Sequence, residues 1–234
     1  MPNVKEKNVF DRKPLTKEEI QEAMMARINR INEEFKACFE FIKNYPRSVS
    51  IYGSARLDEN SEHCQKARQL AAQIAKELNY TIFTGGGNGI MAAANRGAYE
   101  AGGQSVGINI KLPKEQQQNQ YMTDSLEAYY FFIRKFALSF AAEAYIFFPG
   151  GFGTLDEFFE ILTLVQTKKI PPVPIILVGR DYWEPLDNFI LNYMYKIHGA
   201  INKEDMNLYT ITDDENKIIE IIRKTPVRNG IRIA

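Results

Sequence analysis

The chain has 234 residues and a mass of 26.8 kDa, which suits one large domain or one domain with an appendage. Lys plus Arg and Asp plus Glu each total 29, so the formal net charge is zero. This balance predicts no general attraction to nucleic acid or to an acidic membrane. The composition, 45% hydrophobic and 25% charged, is that of a folded globular protein. The two cysteines, Cys38 and Cys64, are too few for a disulfide-dense scaffold or a cysteine zinc cluster and fit a reducing compartment.

The first residues give no sign of export. Residues 1–12 mix charged and amide side chains and lack the apolar stretch of a secretory signal. The longest charge-free apolar stretch, 170–179, contains three prolines and is too short to span a bilayer. We therefore expect a soluble, cytoplasmic protein with no membrane partner.

A long helix is predicted near the start of the chain. Residues 1–15 read as a loose tail, and Thr16 followed by Glu19 has the spacing of a helix-capping box. Apolar residues then recur at helical spacing from Ile20 to Ile42, and the pattern ends before Pro46. We expect 1–46 to form an N-terminal tail and helix that extend from the body, 47–234.

From residue 47 the pattern alternates between strands and helices. Strands are predicted over 48–52, 80–84, 105–110, 126–132, 144–148, 174–178 and 208–211, and helices over 61–79, 90–101, 134–142, 155–166, 181–197 and 213–224. Residues 112–125 read mostly as a loop. Apolar strands that alternate with helices predict an α/β domain with a parallel sheet and helices on both faces.

Two glycine-rich segments follow strands and precede helices: residues 85–89 and Pro149 to Thr154. In an open parallel sheet, ligands bind at the carboxyl ends of the strands. Glycine lets the backbone approach an anion closely, and a helix N-terminus offers free N–H groups. The two segments together therefore predict a phosphate site, the alternative being that the glycines only form tight turns.

Several common sites do not match the sequence. Ile90 stands where a Gly-x-Gly-x-x-Gly motif needs its third glycine, and residues 105–111 lack the acidic residue of an NAD site. No P-loop motif occurs. Residues 103–107 fit the Gly-x-Ser-x-Gly pattern but join a helix to a strand, the reverse of a nucleophile elbow. His63 and His198 stand alone, and no metal-binding spacing occurs, so we expect neither a metal nor another cofactor.

Charged side chains accompany the glycine segments. Glu157 lies three residues after Thr154, beside the expected phosphate site, although an acid in the first turn of a helix also complements the helix dipole. Arg134 and Lys135 open a predicted helix, where positive charge is unfavourable unless a phosphate or a carboxylate is nearby. Ser54 and Arg56 follow the first strand and are further candidates at the same edge.

Residues 149–157 (PGGFGTLDE) match the PGGxGTxxE signature of the Lonely Guy family, cytokinin-activating phosphoribohydrolases long misnamed lysine decarboxylases. Arg134 and Lys135 match the Arg-Lys pair of that family. Residues 53–56, 84–95 and 107–121 resemble its longer, bacterial-type members. The resemblance covers about residues 48–190.

This resemblance implies a single Rossmann-like nucleotide-binding domain over 47–234. It also implies hydrolysis of the N-glycosidic bond of nucleoside 5′-monophosphates, AMP and N6-modified AMP among them, to the free base and ribose 5-phosphate. A homodimer or a higher oligomer of dimers is implied as well, and no lysine decarboxylase activity. Arg134 and Glu157 would be the catalytic pair. The phosphate would be held by Gly150, Gly151, Gly153 and Thr154, and further pocket candidates are Ser54, Arg56, Gly86, Gly87, Asn88, Met91 and Lys135.

The expected chemistry fits these side chains. Cleavage of a glycosidic bond passes through an oxocarbenium-like state, which a carboxylate stabilises. Glu157 could stabilise that charge, orient the ribose or activate water, and Arg134 could keep Glu157 ionised. Two alternatives stay open: a non-catalytic nucleotide-binding or sensing protein on the same fold, and a transferase that uses a phosphoribosyl donor.

Overall fold

A computed structural model of the chain describes residues 15–111 and 118–227. Its seven strands are β1 (Ser48–Tyr52), β2 (Thr81–Thr84), β3 (Ser105–Ile110), β4 (Asp124–Ala128), β5 (Ala144–Phe147), β6 (Ile175–Leu177) and β7 (Thr210–Ile211). They form one sheet in the order β4-β3-β2-β1-β5-β6-β7, and every neighbouring pair is parallel. The predicted parallel sheet is confirmed. The chain winds outward from β1 in one direction and then, from β5, in the other, so the switch point of this Rossmann-like topology lies between β1 and β5.

Helices cover both faces of the sheet. They are α1 (Lys17–Ile42), α2 (Glu62–Gln73), α3 (Ile90–Glu100), α4 (Phe131–Phe140), α5 (Phe152–Gln166), α6 (Arg180–Phe189) and α7 (Glu215–Lys224). Two of them continue as π-helical segments, Ile74–Leu78 after α2 and Ile190–Ile197 after α6, and Lys203–Asn207 is a short 3-10 helix. Core residues of α2, α3 and α7 pack on one face, and those of α1, α4, α5 and α6 pack on the other. None of the described helices is both long enough and apolar enough to cross a membrane.

The predicted N-terminal helix is confirmed, together with its capping box. The Thr16 hydroxyl accepts from the backbone N–H of Glu19 (3.2 Å), and the Glu19 carboxylate accepts from the backbone N–H of Thr16 (2.8 Å). Only the second half of α1 enters the core, through Cys38 and Ile42, both buried. Both cysteines of the chain are free thiols. The predicted tail residues up to 14 and the predicted loop residues 112–117 lie outside the described parts of the chain.

The predictions were wrong at two element boundaries that affect the site. The strand expected over 126–132 ends at Ala128, and α4 begins at Phe131 after an extended Tyr130, because aromatic residues at 131 and 132 suit a strand but here start a helix. Arg134 is therefore the fourth residue of α4. Similarly, α5 begins at Phe152 and not at 155, so Gly153 and Thr154 are helical. The predicted strand 208–211 is reduced to two residues.

Candidate active site

Three loops meet at the carboxyl edge of the sheet, at the switch point. The backbone N–H of Ser54, after β1, donates to the carbonyl of Pro149, after β5 (3.0 Å). The N–H of Ile90, at the start of α3, donates to the carbonyl of Ser54 (3.0 Å). Gly89 has a φ of +60°, and a Cβ there would lie 2.3 Å from the Ser54 carbonyl. The expected convergence of the glycine segments with Ser54 is therefore observed.

The loop after β2 is held by buried polar side chains. The Thr84 hydroxyl accepts from the N–H of Gly86 (2.9 Å) and donates to Asn95 Oδ1 (2.6 Å). The Asn119 amide donates to the Gly87 carbonyl (3.1 Å) and to Asn95 Oδ1 (2.9 Å). These bonds fix the backbone of Gly86 and Gly87 at the strand end, so the glycine loop has a defined shape before any ligand binds.

The loop after β5 leads directly into the N-terminus of α5. Gly151 and Gly153 are exposed, and a Cβ at either position would meet nothing within 4 Å. At Gly150 a Cβ would lie 2.1 Å from Thr154 Oγ1, so this glycine allows the threonine hydroxyl to reach the loop. The first N–H groups of a helix have no helical partner and carry a positive partial charge. The segment thus offers an open site for an anion.

Arg134 extends from α4 over the glycine loop. Its Nε donates to the carbonyl of Ile108 on β3 (2.9 Å), and its Nη2 occupies the space beside Gly85, where a Cβ would lie only 2.1 Å away. The Sδ of Met91 approaches the same glycine, at 2.9 Å from that Cβ position. Burial lowers the pKa of the guanidinium, and the nearby carboxyl of Glu157 raises it.

Glu157 is a buried acid in the second turn of α5. Its side chain is 7% exposed, and its Oε2 has no hydrogen-bond partner within the described residues. Burial raises the pKa of Glu157 from 4.5 to about 7; Arg134 and Lys135 lower it in part, and Glu160 and Asp156 add to the rise. At neutral pH the carboxyl is therefore divided between its protonated and ionised forms.

Burial and the charge of Arg134 act in opposite directions on Glu157. Arg134 lowers the pKa of this carboxyl, as the sequence suggested it could, but the cost of burying the carboxylate is the larger effect. Within residues 15–111 and 118–227, no ion pair closer than 4 Å joins Arg134 to Glu157. Lys135 instead pairs with Asp156 (2.8 Å) and Glu160 (2.9 Å), which supplies the carboxylate partner that the sequence suggested for it.

Two other candidate site residues, Arg56 and Asn88, lie further out from the edge of the sheet. Arg56 is exposed, and its backbone N–H donates to Ser54 Oγ (3.1 Å). Asn88 is exposed and, with Gly89, lines a groove of about 860 Å³ over α2 and α3 whose lining includes neither catalytic candidate. Apart from Lys135, which pairs with Asp156 and Glu160, the remaining candidates lie at the edge of the sheet itself: Ser54, Gly86, Gly87, Met91, Arg134, Gly150, Gly151, Gly153, Thr154 and Glu157.

Two polar residues at this edge escaped the sequence interpretation. Tyr52 ends β1, stacks on Phe147 (ring centroids 4.7 Å apart, 8° between planes) and has no hydrogen-bond partner for its buried hydroxyl among the described residues. Burial and the neighbouring Glu157 raise the pKa of Tyr52. Asn109, near the end of β3, is buried as well. The available signal was a polar side chain near the carboxyl end of a short strand. No three His, Cys, Asp or Glu side chains cluster as metal ligands in the described parts of the chain.

The fold and these residues define a Rossmann-like α/β protein with an open helix N-terminus, a half-buried Arg and a buried Glu at the switch point. The chain belongs to the family described as "possible lysine decarboxylase", whose model matches residues 91–222, more than half of its length. Curated relatives of the chain are named as phosphoribohydrolases and not as lysine decarboxylases. These names confirm the resemblance to the Lonely Guy family.

One relative is the cytokinin riboside 5′-monophosphate phosphoribohydrolase of Rhodococcoides fascians, 25% identical over 150 residues, which cover 62% of this chain and 74% of the relative. An Arabidopsis thaliana protein of the same name is 22% identical over 202 residues, which cover 82% of this chain and 84% of the relative. Among solved structures, the molybdenum cofactor carrier protein of Chlamydomonas reinhardtii has a TM-score of 0.56 at 19% identity, covering 76% of this chain and 97% of that one. This last likeness shows the fold alone.

Proposed function

We propose that the protein hydrolyses the N-glycosidic bond of nucleoside 5′-monophosphates, AMP and N6-modified AMP such as cytokinin ribotides, to the free base and ribose 5-phosphate. The observation that carries the proposal is Glu157, a buried carboxyl with a pKa of about 7, placed one turn behind an open helix N-terminus. The names of the Rhodococcoides and Arabidopsis relatives support the same activity. Arg134 and Glu157 are the proposed catalytic residues.

The 5′-phosphate is the anchor of the substrate and not its reacting group. Gly150, Gly151, Gly153 and Thr154 would receive it, because they offer helix N–H groups, a hydroxyl and open space. The free energy of phosphate binding then helps to orient the sugar. Nucleosides without the phosphate should therefore react poorly.

In the reaction the C1′–N bond breaks and its electron pair stays with the base. A water oxygen bonds to C1′, and the proton that this water loses is balanced by the proton that the departing base gains. The ionised form of Glu157 can stabilise the positive charge that develops on the ribose, or accept a proton from the water. Arg134, over Gly85 and coupled to Glu157, holds a positive charge near the carboxylate and helps to keep the nucleotide in place.

The test is to incubate the protein with AMP and with an N6-prenylated AMP and to measure free base by chromatography. We expect Glu157→Gln to lower the rate by at least about 100-fold, the usual contribution of a positioned acid or base. Glu127→Gln, an exposed glutamate on β4, is the matched control and should leave the rate unchanged. Equal turnover of adenosine and AMP would contradict the role of the phosphate. Binding of AMP without base release would instead favour the nucleotide-sensing alternative.

We further propose that the protein acts in the cytoplasm, without a cofactor or nucleic acid, as a homodimer or a higher oligomer of dimers. Large exposed aromatic side chains support a partner surface: Phe152, the first residue of α5, is 93% exposed, and Phe131, the first residue of α4, is 58% exposed. Light scattering would measure the mass in solution. A monomer would contradict the oligomer.

A further inference from the structure

Three buried asparagines surround the glycine loop after β2, and two of them are fully explained by the fold. Asn95 donates from Nδ2 to Ser105 Oγ (2.9 Å). Asn119 donates from Nδ2 to the Gly87 carbonyl and to Asn95 Oδ1. Asn119 therefore holds the loop directly, and Asn95 supports it through Thr84 and Asn119.

Asn109 is the exception. It is 5% exposed, and its Nδ2 has no hydrogen-bond partner within the described residues. Its Oδ1 packs against Gly86, where a Cβ would lie 1.7 Å from it, so the amide is held directly against the glycine loop. A buried donor without an acceptor destabilises a protein, and native structures rarely keep one without a reason. A ligand that brings an acceptor would supply that reason.

The position of Asn109 in the sheet indicates which part of a ligand it meets. In the strand order, β3 is three places from β5, which leads into the proposed phosphate loop. At the usual spacing of parallel strands, this separates Asn109 from that loop by about 14 Å across the sheet. Asn109 packs against Gly86, and Arg134 and Met91 lie beside the preceding residue, Gly85. In a nucleoside 5′-monophosphate the ribose separates the phosphate from the base, so the base falls at the Asn109 end.

We propose that Asn109 is a specificity-determining residue that donates a hydrogen bond from Nδ2 to a ring nitrogen of a purine base. The inference rests on the proposed function for the class of substrate. It adds a selection rule: the base must present an acceptor, and not an N–H donor, toward the end of β3.

Two variants separate this role from a structural one. Asn109→Leu keeps the branched shape of the side chain without its polar atoms, and Asn109→Val removes the amide with a smaller, β-branched side chain that suits a strand. Calorimetry would measure the binding of AMP and of ribose 5-phosphate, which lacks the base. We expect either variant to weaken AMP binding about 10-fold, as for a lost hydrogen bond that leaves a buried acceptor unpaired, and to leave ribose 5-phosphate binding within about twofold.

Asn95→Leu is the contrasting variant. It breaks bonds that shape the loop, so it should lower the melting temperature and weaken both ligands together. Asn109→Leu should not lower the melting temperature, because no described protein partner loses a bond. If Asn109→Leu does not fold, Asn109→Val gives the same comparison of the two ligands.

Analogues of AMP identify the acceptor. The 1-, 3- and 7-deaza analogues each replace one ring nitrogen by a C–H group, and the analogue that lacks the acceptor should bind the native protein and Asn109→Leu equally. The proposal is overturned if ribose 5-phosphate binding falls in parallel with AMP binding, or if no analogue removes the difference. A native protein that binds AMP but releases no base would end the hydrolase proposal and leave this one standing, whereas no AMP binding would overturn both.

Discussion

The burial of Glu157 should make the stability of the protein depend on pH. The pKa of this carboxyl is about 7 in the folded protein, against 4.5 for an ordinary glutamate. Between these values the folded state binds more protons than the unfolded state, so the free energy of unfolding falls as the pH rises. At 1.36 kcal/mol for each pKa unit, the loss that this group causes amounts to about 3 kcal/mol by pH 8.5.

Glu157→Gln removes the titration and keeps the shape of the side chain. Urea unfolding of the native protein and the variant, measured from pH 4.5 to 8.5, gives the difference in their free energies of unfolding. That difference should move in favour of the variant by about 3 kcal/mol across this range. A constant offset is also expected from the exchange of a neutral carboxyl for an amide, but the offset does not change the slope.

Glu127→Gln, on the exposed face of the edge strand β4, is the control and should follow the native protein at every pH. The reasoning is refuted if the difference between the native protein and Glu157→Gln stays constant from pH 4.5 to 8.5, since the fold would then carry no cost for ionising Glu157.

Two further changes test the surroundings of the site. Gly86→Ala would place a Cβ 1.7 Å from Asn109 Oδ1 at a φ of +71°, whereas Gly102→Ala, at a φ of +74°, meets nothing within 4 Å. Urea unfolding should show a loss of about 1 kcal/mol for Gly102→Ala and about 2 kcal/mol or more for Gly86→Ala; equal losses would show that the Asn109 contact does not constrain the loop. Lys135→Met removes a positive charge that lowers the pKa of Glu157. If the ionised form of Glu157 is the active one, the rising limb of kcat/KM against pH should move to higher pH, and an unmoved or lowered limb would contradict the coupling.

The sequence predicted the topology well because the pattern of this chain is strong. Short apolar strands alternate with amphipathic helices from residue 47 onward, and such alternation allows few arrangements besides a parallel sheet covered on both faces. Thr16 and Glu19 marked the start of α1 because a capping box is a local interaction that the sequence contains in full.

The sequence was less informative where several elements determine the outcome. Phe131 and Phe132 suit a strand by composition, yet they start α4, since packing against the rest of the protein decides between two acceptable local structures. The partners of Lys135 are Asp156 and Glu160, on a different helix, and only the tertiary fold brings them together. The raised pKa of Glu157 likewise depends on how deeply α5 is buried, which no local pattern encodes.

Six buried polar atoms of the described residues have no hydrogen-bond partner, and three of them lie at this edge of the sheet; the other three belong to Gln73, Ser139 and Glu160, the last of which forms an ion pair with Lys135. Tyr52 Oη, Asn109 Nδ2 and Glu157 Oε2 come from β1, β3 and α5, and all three are buried without a hydrogen-bond partner in the described residues. By contrast, Thr84 and Asn95, only a few residues from the same loop, are fully engaged. Each unpaired group costs about 1–3 kcal/mol in the free protein, and phenylalanine or leucine could fill the same space without that cost. A bound molecule that pairs with the three atoms at the site would offset this cost.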